Sequence, residues 1–252
     1  MLPSILFRKK YTLHFILSAF LCLCFSAAYG LYLEQINGNS LKSARIAYFP
    51  GSFDPFHLGH MALVDDVLTK DLADYVLVYA LPDSDQTKKR TPHPIRLSML
   101  HALYEKHPKV LITKLMPADM QDLLTPLFGD AKFSVIVGSD IIQTYFKTSQ
   151  YDGVWMKGLP IRKTSPEHAN TSTGAIMAIP ADEVIAFNRE GDDLSYLKGT
   201  YKNRPTTLLT TKANTDLSST KARTAIKQKE SLVEMVAPEV QKIIDETGLY
   251  KD

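Results

Sequence analysis

The chain has 252 residues, 45% of them hydrophobic, enough to build one or two domains around a packed core. Its formal net charge of +2 is too small to mark a polynucleotide binder. That charge also hides an asymmetry: residues 1–30 hold Arg8, Lys9 and Lys10 and no acid, so 26 basic and 27 acidic residues remain beyond them, and neither nucleic acid nor an anionic lipid surface is an expected partner of that remainder.

Residues 1–30 do not read as part of a globular fold. Arg8-Lys9-Lys10 precedes an almost wholly apolar run from Tyr11 to Phe25, and Ser26-Ala27-Ala28 supplies the small residues that a signal peptidase accepts. The run can be extended through Leu33, long enough to span a bilayer with some tilt. A cleaved signal and a membrane anchor with lipid contact through residues 11–33 are both expected readings. In either, the basic flank places the domain on the exported side. A start assigned too far upstream, with a cytoplasmic protein, is the alternative. Both cysteines, Cys22 and Cys24, lie in this segment, so residues 31–252 hold no thiol for a disulfide, a nucleophile or a metal. Residues 31–44 are polar around Gly38 and read as a linker.

From Arg45 onward strand-like and helix-like segments alternate. Strands are expected at 46–49, 75–80, 109–113, 133–137 and 184–189, and helices at 59–70, 94–105, 118–127 and 139–147. Bursts such as Tyr75-Val76-Leu77-Val78-Tyr79 and Phe133-Ser134-Val135-Ile136-Val137 suit strands buried on both faces. The rhythm predicts an α/β fold: a Rossmann-like, doubly wound parallel sheet with helices on both faces, over residues 45–252. In such a sheet ligands sit beyond the carboxyl ends of the strands. Residues 158–180, rich in Thr, Ser, Pro and Gly, read as a long loop, and Lys198 to Arg204 carry no signal.

The most informative stretch is the first strand with the turn and helix start after it. Ile46-Ala47-Tyr48-Phe49 runs into Pro50-Gly51-Ser52, and a helix begins near Gly59 with Met61, Leu63, Val64, Val67 and Leu68 on its apolar side. A strand, a glycine turn and a helix N-terminus aim backbone N–H groups and a dipole at one point, a natural seat for phosphate. His57 and His60 stand three apart at that mouth, where imidazoles can donate to phosphate oxygens. An ordinary turn with surface histidines is the plainer reading of the same residues.

Gly51-Ser52-Phe53-Asp54-Pro55-Phe56-His57-Leu58-Gly59-His60 resembles the GxFDPxHxGH signature of the nucleotidyltransferase superfamily. Leu217-Ser218-Ser219-Thr220-Lys221-Ala222-Arg223 resembles its ISSTxxR signature, at the start of a late helix. The close, with Pro238-Glu239-Val240 and Gly248-Leu249-Tyr250, is most similar to nicotinate-mononucleotide adenylyltransferases.

The resemblance implies transfer of the adenylyl group of ATP to nicotinate or nicotinamide mononucleotide, with release of pyrophosphate. Phosphopantetheine, or glycerol phosphate with CTP, are the alternative substrates. A nucleotide-binding module without catalysis is the alternative class. It further implies His57, His60 and Arg223 as catalytic residues. Gly51, Ser52, Phe53, Gly59, Gly138, Asp140, Ser218, Ser219 and Thr220 would hold ATP. Asp140 would serve equally as a helix N-cap. For the phosphorylated acceptor it implies Lys88 and Lys89 in the basic loop, Arg96, which with Met99 resembles the family's R..M, and Arg189 after a later strand. Trp155 falls near a family tryptophan and reads first as core. Mg²⁺ is implied as the companion of the phosphates, with no cage of protein ligands.

Overall fold

The computed structural model describes residues 41–81, 83, 89–113, 130–138, 182–188, 200–201, 204–210 and 217–251. Residues 1–30, most of the expected linker, the helices expected at 118–127 and 139–147, Lys88, Asp140, Trp155, the loop expected at 158–180 and Arg189 lie outside these residues.

Among the described residues seven strands form one sheet: β1 (Arg45–Gly51), β2 (Tyr75–Ala80), β3 (Val110–Thr113), β4 (Lys132–Gly138), β5 (Glu183–Asn188), β6 (Thr200–Tyr201) and β7 (Arg204–Thr210). Their order is β3-β2-β1-β4-β5-β7-β6. All neighbours run parallel except the short edge strand β6, which is antiparallel to β7. The chain winds outward from β1 through β2 to β3, then returns to β4 on the other side of β1. The order therefore reverses between β1 and β4, and the crevice beyond their carboxyl ends is the topological switch point of the fold.

Four helices are described: α1 (Leu58–Thr69), α2 (His93–Tyr104), α3 (Ser219–Gln228) and α4 (Pro238–Thr247). Leu63, Val64 and Val67 of α1 and Leu97, Leu100 and Tyr104 of α2 pack on Ala47, Phe49, Val76, Val78 and Ile136 of one sheet face. The other face, with Ile46, Tyr48, Leu77, Tyr79, Val135 and Val137, is buried as well, in keeping with the continuous apolar runs of parallel strands. Met99 turns to the far side of α2 and joins Ala222, Ala225, Val236, Val240 and Ile244, so α2 is shared between the sheet core and the C-terminal helices. This second core carries the N-terminus of α3 back to the end of β1.

Two readings change. Leu41 is 1% exposed and the Ala44 carbonyl accepts from the Lys132 N–H at 2.9 Å, so packed structure starts ahead of Arg45, in the expected linker. Strands β6 and β7 were not expected; Pro205 and the threonines of β7 mask a strand that pairs β5 through Thr206 to Thr210. Its signal was the β-branched run flanking Leu208-Leu209, and Pro205 is tolerated because it sits at the hairpin on the sheet edge.

Tyr48 and Tyr79 stack inside the second face at 5.8 Å. Burial holds the Tyr48 phenol well above the usual tyrosine range, and burial does the same at Tyr104. Both groups titrate higher folded than unfolded, so their contribution is complete below the unfolded value near pH 10 and is lost as pH rises past it. Thermal unfolding should therefore show Tm falling steeply above about pH 10. Among the described residues neither hydroxyl has a hydrogen-bond partner. Tyr48→Phe should consequently leave Tm unchanged or raised at pH 7 and flatten the alkaline decline, because it removes a buried polar atom that nothing compensates.

Candidate active site

The site is built where β1 ends. A Cβ on Gly51 would lie 2.5 Å from the Phe53 ring, so only glycine lets that ring fold back over the strand end. Phe53 itself takes φ 48, and the Asp54-Pro55 peptide is cis. Phe49, Phe53 and Phe56 then form an aromatic bed, with centroids 5.1 Å apart for the first pair and 4.9 Å for the second. The His60 ring lies on this bed, 5.1 Å from Phe53 and 4.9 Å from Phe56. Phe53, expected to touch ATP, is 2% exposed and supports His60 from beneath.

His57 is the extended N-cap residue of α1, and its ring stacks on that of His60 at 3.6 Å and 24°. The His57 backbone N–H donates to His60 Nδ1 at 3.2 Å. With Nδ1 accepting, the neutral His60 ring carries its proton on Nε2, which is thereby left as the donor. A Cβ on Gly59 would come within 3.1 Å of both Cε1 and Nδ1 of His57. Gly59→Ala should therefore lower kcat about tenfold by displacing the His57 ring. Its Tm should hold or rise, since alanine is the better helix former by roughly 1 kcal/mol. Measured together, the two values separate a ring displacement from a loss of fold.

The second signature meets the first at one dipeptide. Ser218 caps α3 by accepting from the Lys221 N–H at 3.1 Å. Ser219 Oγ donates to the Pro55 carbonyl at 2.9 Å, and Arg223 Nη1 donates to the Asp54 carbonyl at 2.6 Å. Thr220 Oγ1 accepts from Arg223 Nη2 at 3.2 Å, which fixes the guanidinium fork on its own helix. The Leu58 N–H at the head of α1 donates to the Met235 carbonyl at 2.9 Å, a further tie between the two ends of the chain. Two helix N-termini, the stacked histidines and Arg223 thus converge beyond the carboxyl end of β1, an arrangement suited to a chain of phosphates.

Other expected residues fall out differently. Gly138 ends β4 beside the same crevice and is buried. Ser52 holds two arginines, through its carbonyl to Arg96 Nη1 at 2.7 Å and through Oγ to Arg90 Nε at 3.0 Å. Lys89 is exposed, while Lys88 lies outside the described residues. Of the described cations of the basic run, Lys89 and Arg90, it is Arg90 that reaches the glycine turn; its adjacency to Thr91-Pro92, where the loop closes onto α2, was the available signal.

Arg96, expected at the acceptor, is wholly buried. Nε donates to the Thr91 carbonyl at 2.7 Å, and Nη2 donates to the Leu81 carbonyl at 2.6 Å and to Asp83 Oδ1 at 2.8 Å. With the Ser52 bond, one side chain therefore ties the β1–α1 loop to both ends of the β2–α2 loop at the carboxyl edge of the sheet. Desolvation pushes the Asp83 carboxyl up, but the His93 N–H and the Arg96 guanidinium outweigh it and hold it below the usual carboxylate range.

A Rossmann-like parallel α/β sheet with two helix N-termini and a histidine pair at its switch point defines a nucleotide-handling α/β protein. Residues 48–225 match the family described as cytidylyltransferase-like, and the chain belongs to that family. It is 23% identical over 219 residues to a Gemmatimonas aurantiaca protein named "Probable nicotinate-nucleotide adenylyltransferase", covering 82% of this chain and 93% of that one. Over 88 residues, 35% of this chain and 52% of the other, it is 34% identical to a phosphopantetheine adenylyltransferase of Phocaeicola vulgatus. Among solved structures, a Plasmodium falciparum nicotinic acid mononucleotide adenylyltransferase complexed with NaAD superposes with a TM-score of 0.58 at 17% identity, over 82% of this chain and 97% of that one. That likeness is one of fold.

Proposed function

We propose that this chain is an adenylyltransferase that joins ATP and nicotinate (or nicotinamide) mononucleotide into a dinucleotide. The observation that carries the reading is the meeting of the two signatures on the Asp54–Pro55 carbonyls beneath the stacked His57 and His60. The names of the relatives that match most of the chain support the acceptor.

In the reaction a phosphate oxygen of the mononucleotide bonds to the α-phosphorus of ATP, the bond from that phosphorus to the bridging oxygen breaks, and pyrophosphate leaves with the electron pair. No covalent enzyme intermediate is needed, so positioning and charge stabilisation do the catalysis. His60 Nε2–H and the His57 ring donate to oxygens whose charge grows as the bridge breaks. Gly51, Ser52, Gly59, Gly138 and Asp140 are assigned to the nucleotide, and Ser218, Ser219, Thr220 and Arg223 to the departing phosphates. Lys88, Lys89 and Arg189 are assigned to the acceptor, while Arg96 shapes its loop from below. Mg²⁺ is assigned to the phosphates of ATP, on which it would enter the site.

The test is to incubate the full chain with ATP, Mg²⁺ and a panel of phosphorylated acceptors and to monitor pyrophosphate. Release with nicotinate or nicotinamide mononucleotide is the expected result. Release with 4′-phosphopantetheine alone would favour the second reading, to which the Phocaeicola vulgatus likeness points. Saturable ATP binding with no release would leave a binding module.

Residues 11–33 have the composition of an export signal or anchor, and we extend the proposal to an exported or membrane-attached domain. Among the described residues no helix is long and apolar enough to cross a membrane, and residues 11–33 lie outside them. N-terminal sequencing of the protein from its native cell decides between cleavage, anchoring and a cytoplasmic form.

A further inference from the structure

One more side chain reaches the dipeptide on which both signatures converge. Helix α4 ends at Gly248 with φ 66, and the Leu249 N–H closes back onto the Ile244 carbonyl at 3.2 Å. The reversal continues through Tyr250, whose φ of 63 is sparsely populated by a residue with a Cβ. Leu249 and Tyr250 pack against the cluster of Met99, Ala222, Val236 and Val240, so the core holds the tail in that conformation. The turn carries the Tyr250 hydroxyl to Asp54, where it donates to Oδ1 at 2.5 Å. The second oxygen of Asp54 accepts from the Thr91 N–H at 3.1 Å, and the residue is 6% exposed. Asp54 is therefore gripped by its side chain from the C-terminal tail and the loop before α2, and by its carbonyl from Arg223.

We propose that Tyr250 is a positioning residue for the reaction: by holding the Asp54 carboxylate it fixes the turn that aligns Arg223 with the histidine pair at the head of α1. A strained residue held by its surroundings beside a site is the usual signature of such a role. Burial and the Asp54 bond keep the phenol protonated well above the ordinary tyrosine range, against smaller opposing effects of Thr91 and Arg223, so the hydroxyl stays a donor at neutral pH. The inference rests on the function proposed above where turnover is the readout.

Tyr250→Phe keeps the ring in its slot and removes only the donor. In the full chain, well below Tm, kcat should fall about tenfold or more while both KM values stay within about twofold, as expected when alignment rather than binding is lost. In an Arg223→Lys background the same substitution should cost far less than tenfold, because both side chains act through one turn. Asp54→Asn, which keeps an acceptor for the Thr91 N–H but gives Tyr250 a different partner, should show the same selective loss of kcat and serves if Tyr250→Phe does not fold. An unchanged kcat in whichever of these single variants is folded, or losses that multiply independently in the Tyr250→Phe/Arg223→Lys double variant, would overturn the inference. If the wild-type chain turns over no acceptor, the functional reading fails separately. Tyr250 is then judged by urea unfolding of Tyr250→Phe, Arg223→Lys and the double variant: stability losses that fall short of additive support the shared turn, and strictly additive losses overturn it.

Discussion

His60→Asn is expected to lower kcat by about two orders of magnitude or more, with Tm moved by only a few degrees. The choice of asparagine comes from the geometry. Its amide oxygen can take the place of Nδ1 and go on accepting from the His57 N–H, while nothing replaces Nε2. The entrance to α1 thus keeps its backbone bond, and the donor assigned to the phosphates in the proposed reaction disappears. His60→Ala should lose both: the same fall in kcat, and in addition some stability, because the ring leaves the bed of Phe49, Phe53 and Phe56 and its stack on His57. His60→Gln, whose amide nitrogen reaches the region of Nε2, should recover part of the rate at the expense of the cap. Steady-state kinetics on the three variants, with thermal unfolding alongside, give the test. Turnover by His60→Asn equal to wild type would remove His60 from the chemistry.

Loss of Arg96 should be felt in stability before it is felt in binding. Its guanidinium makes four hydrogen bonds with no exposure to solvent, joining the Ser52, Leu81 and Thr91 carbonyls and the half-exposed Asp83. Arg96→Met fills the space but leaves these acceptors without their donor. Leaving a buried acceptor without its donor costs about 1–3 kcal/mol for each group, so the carbonyls together represent a large part of the stability of an ordinary domain and roughly 10 °C in Tm. Arg96→Lys should be nearly as damaging, since one ammonium cannot reach acceptors on both loops that a planar fork reaches together. Urea unfolding measures this directly. An arginine that touched the acceptor would instead show a raised KM with the unfolding midpoint unchanged, and that result would return Arg96 to the role expected from its helix position.

The contrast between these two residues shows where the sequence could be read and where it could not. The strands of the sheet centre were legible because a strand buried on both faces must be continuously apolar, as Val76 to Tyr79 and Val135 to Val137 are. The histidine pair was legible because a glycine turn between strand and helix is a local arrangement, set by residues adjacent in the chain. Strand β7 was missed because an edge-ward strand needs no such run, and the burial of Arg96 was not legible because a charged side chain ordinarily reaches solvent even from a largely apolar helix.

By itself the sequence determined an alternating α/β sheet, a phosphate-type turn after its first strand and the signatures that place the chain in its family, since each depends on composition and spacing over a few residues. Only the tertiary structure decided that Ser219 and Arg223 close on the Asp54–Pro55 carbonyls from 164 and 169 residues away, that Tyr250 reaches Asp54 across 196, and that Arg96 clamps Ser52 across 44. The reason is physical. Periodicity tells which face of an element is apolar, but the partner of a buried polar group is chosen by the loops and helices that packing brings against it, and those arrive from distant parts of the chain.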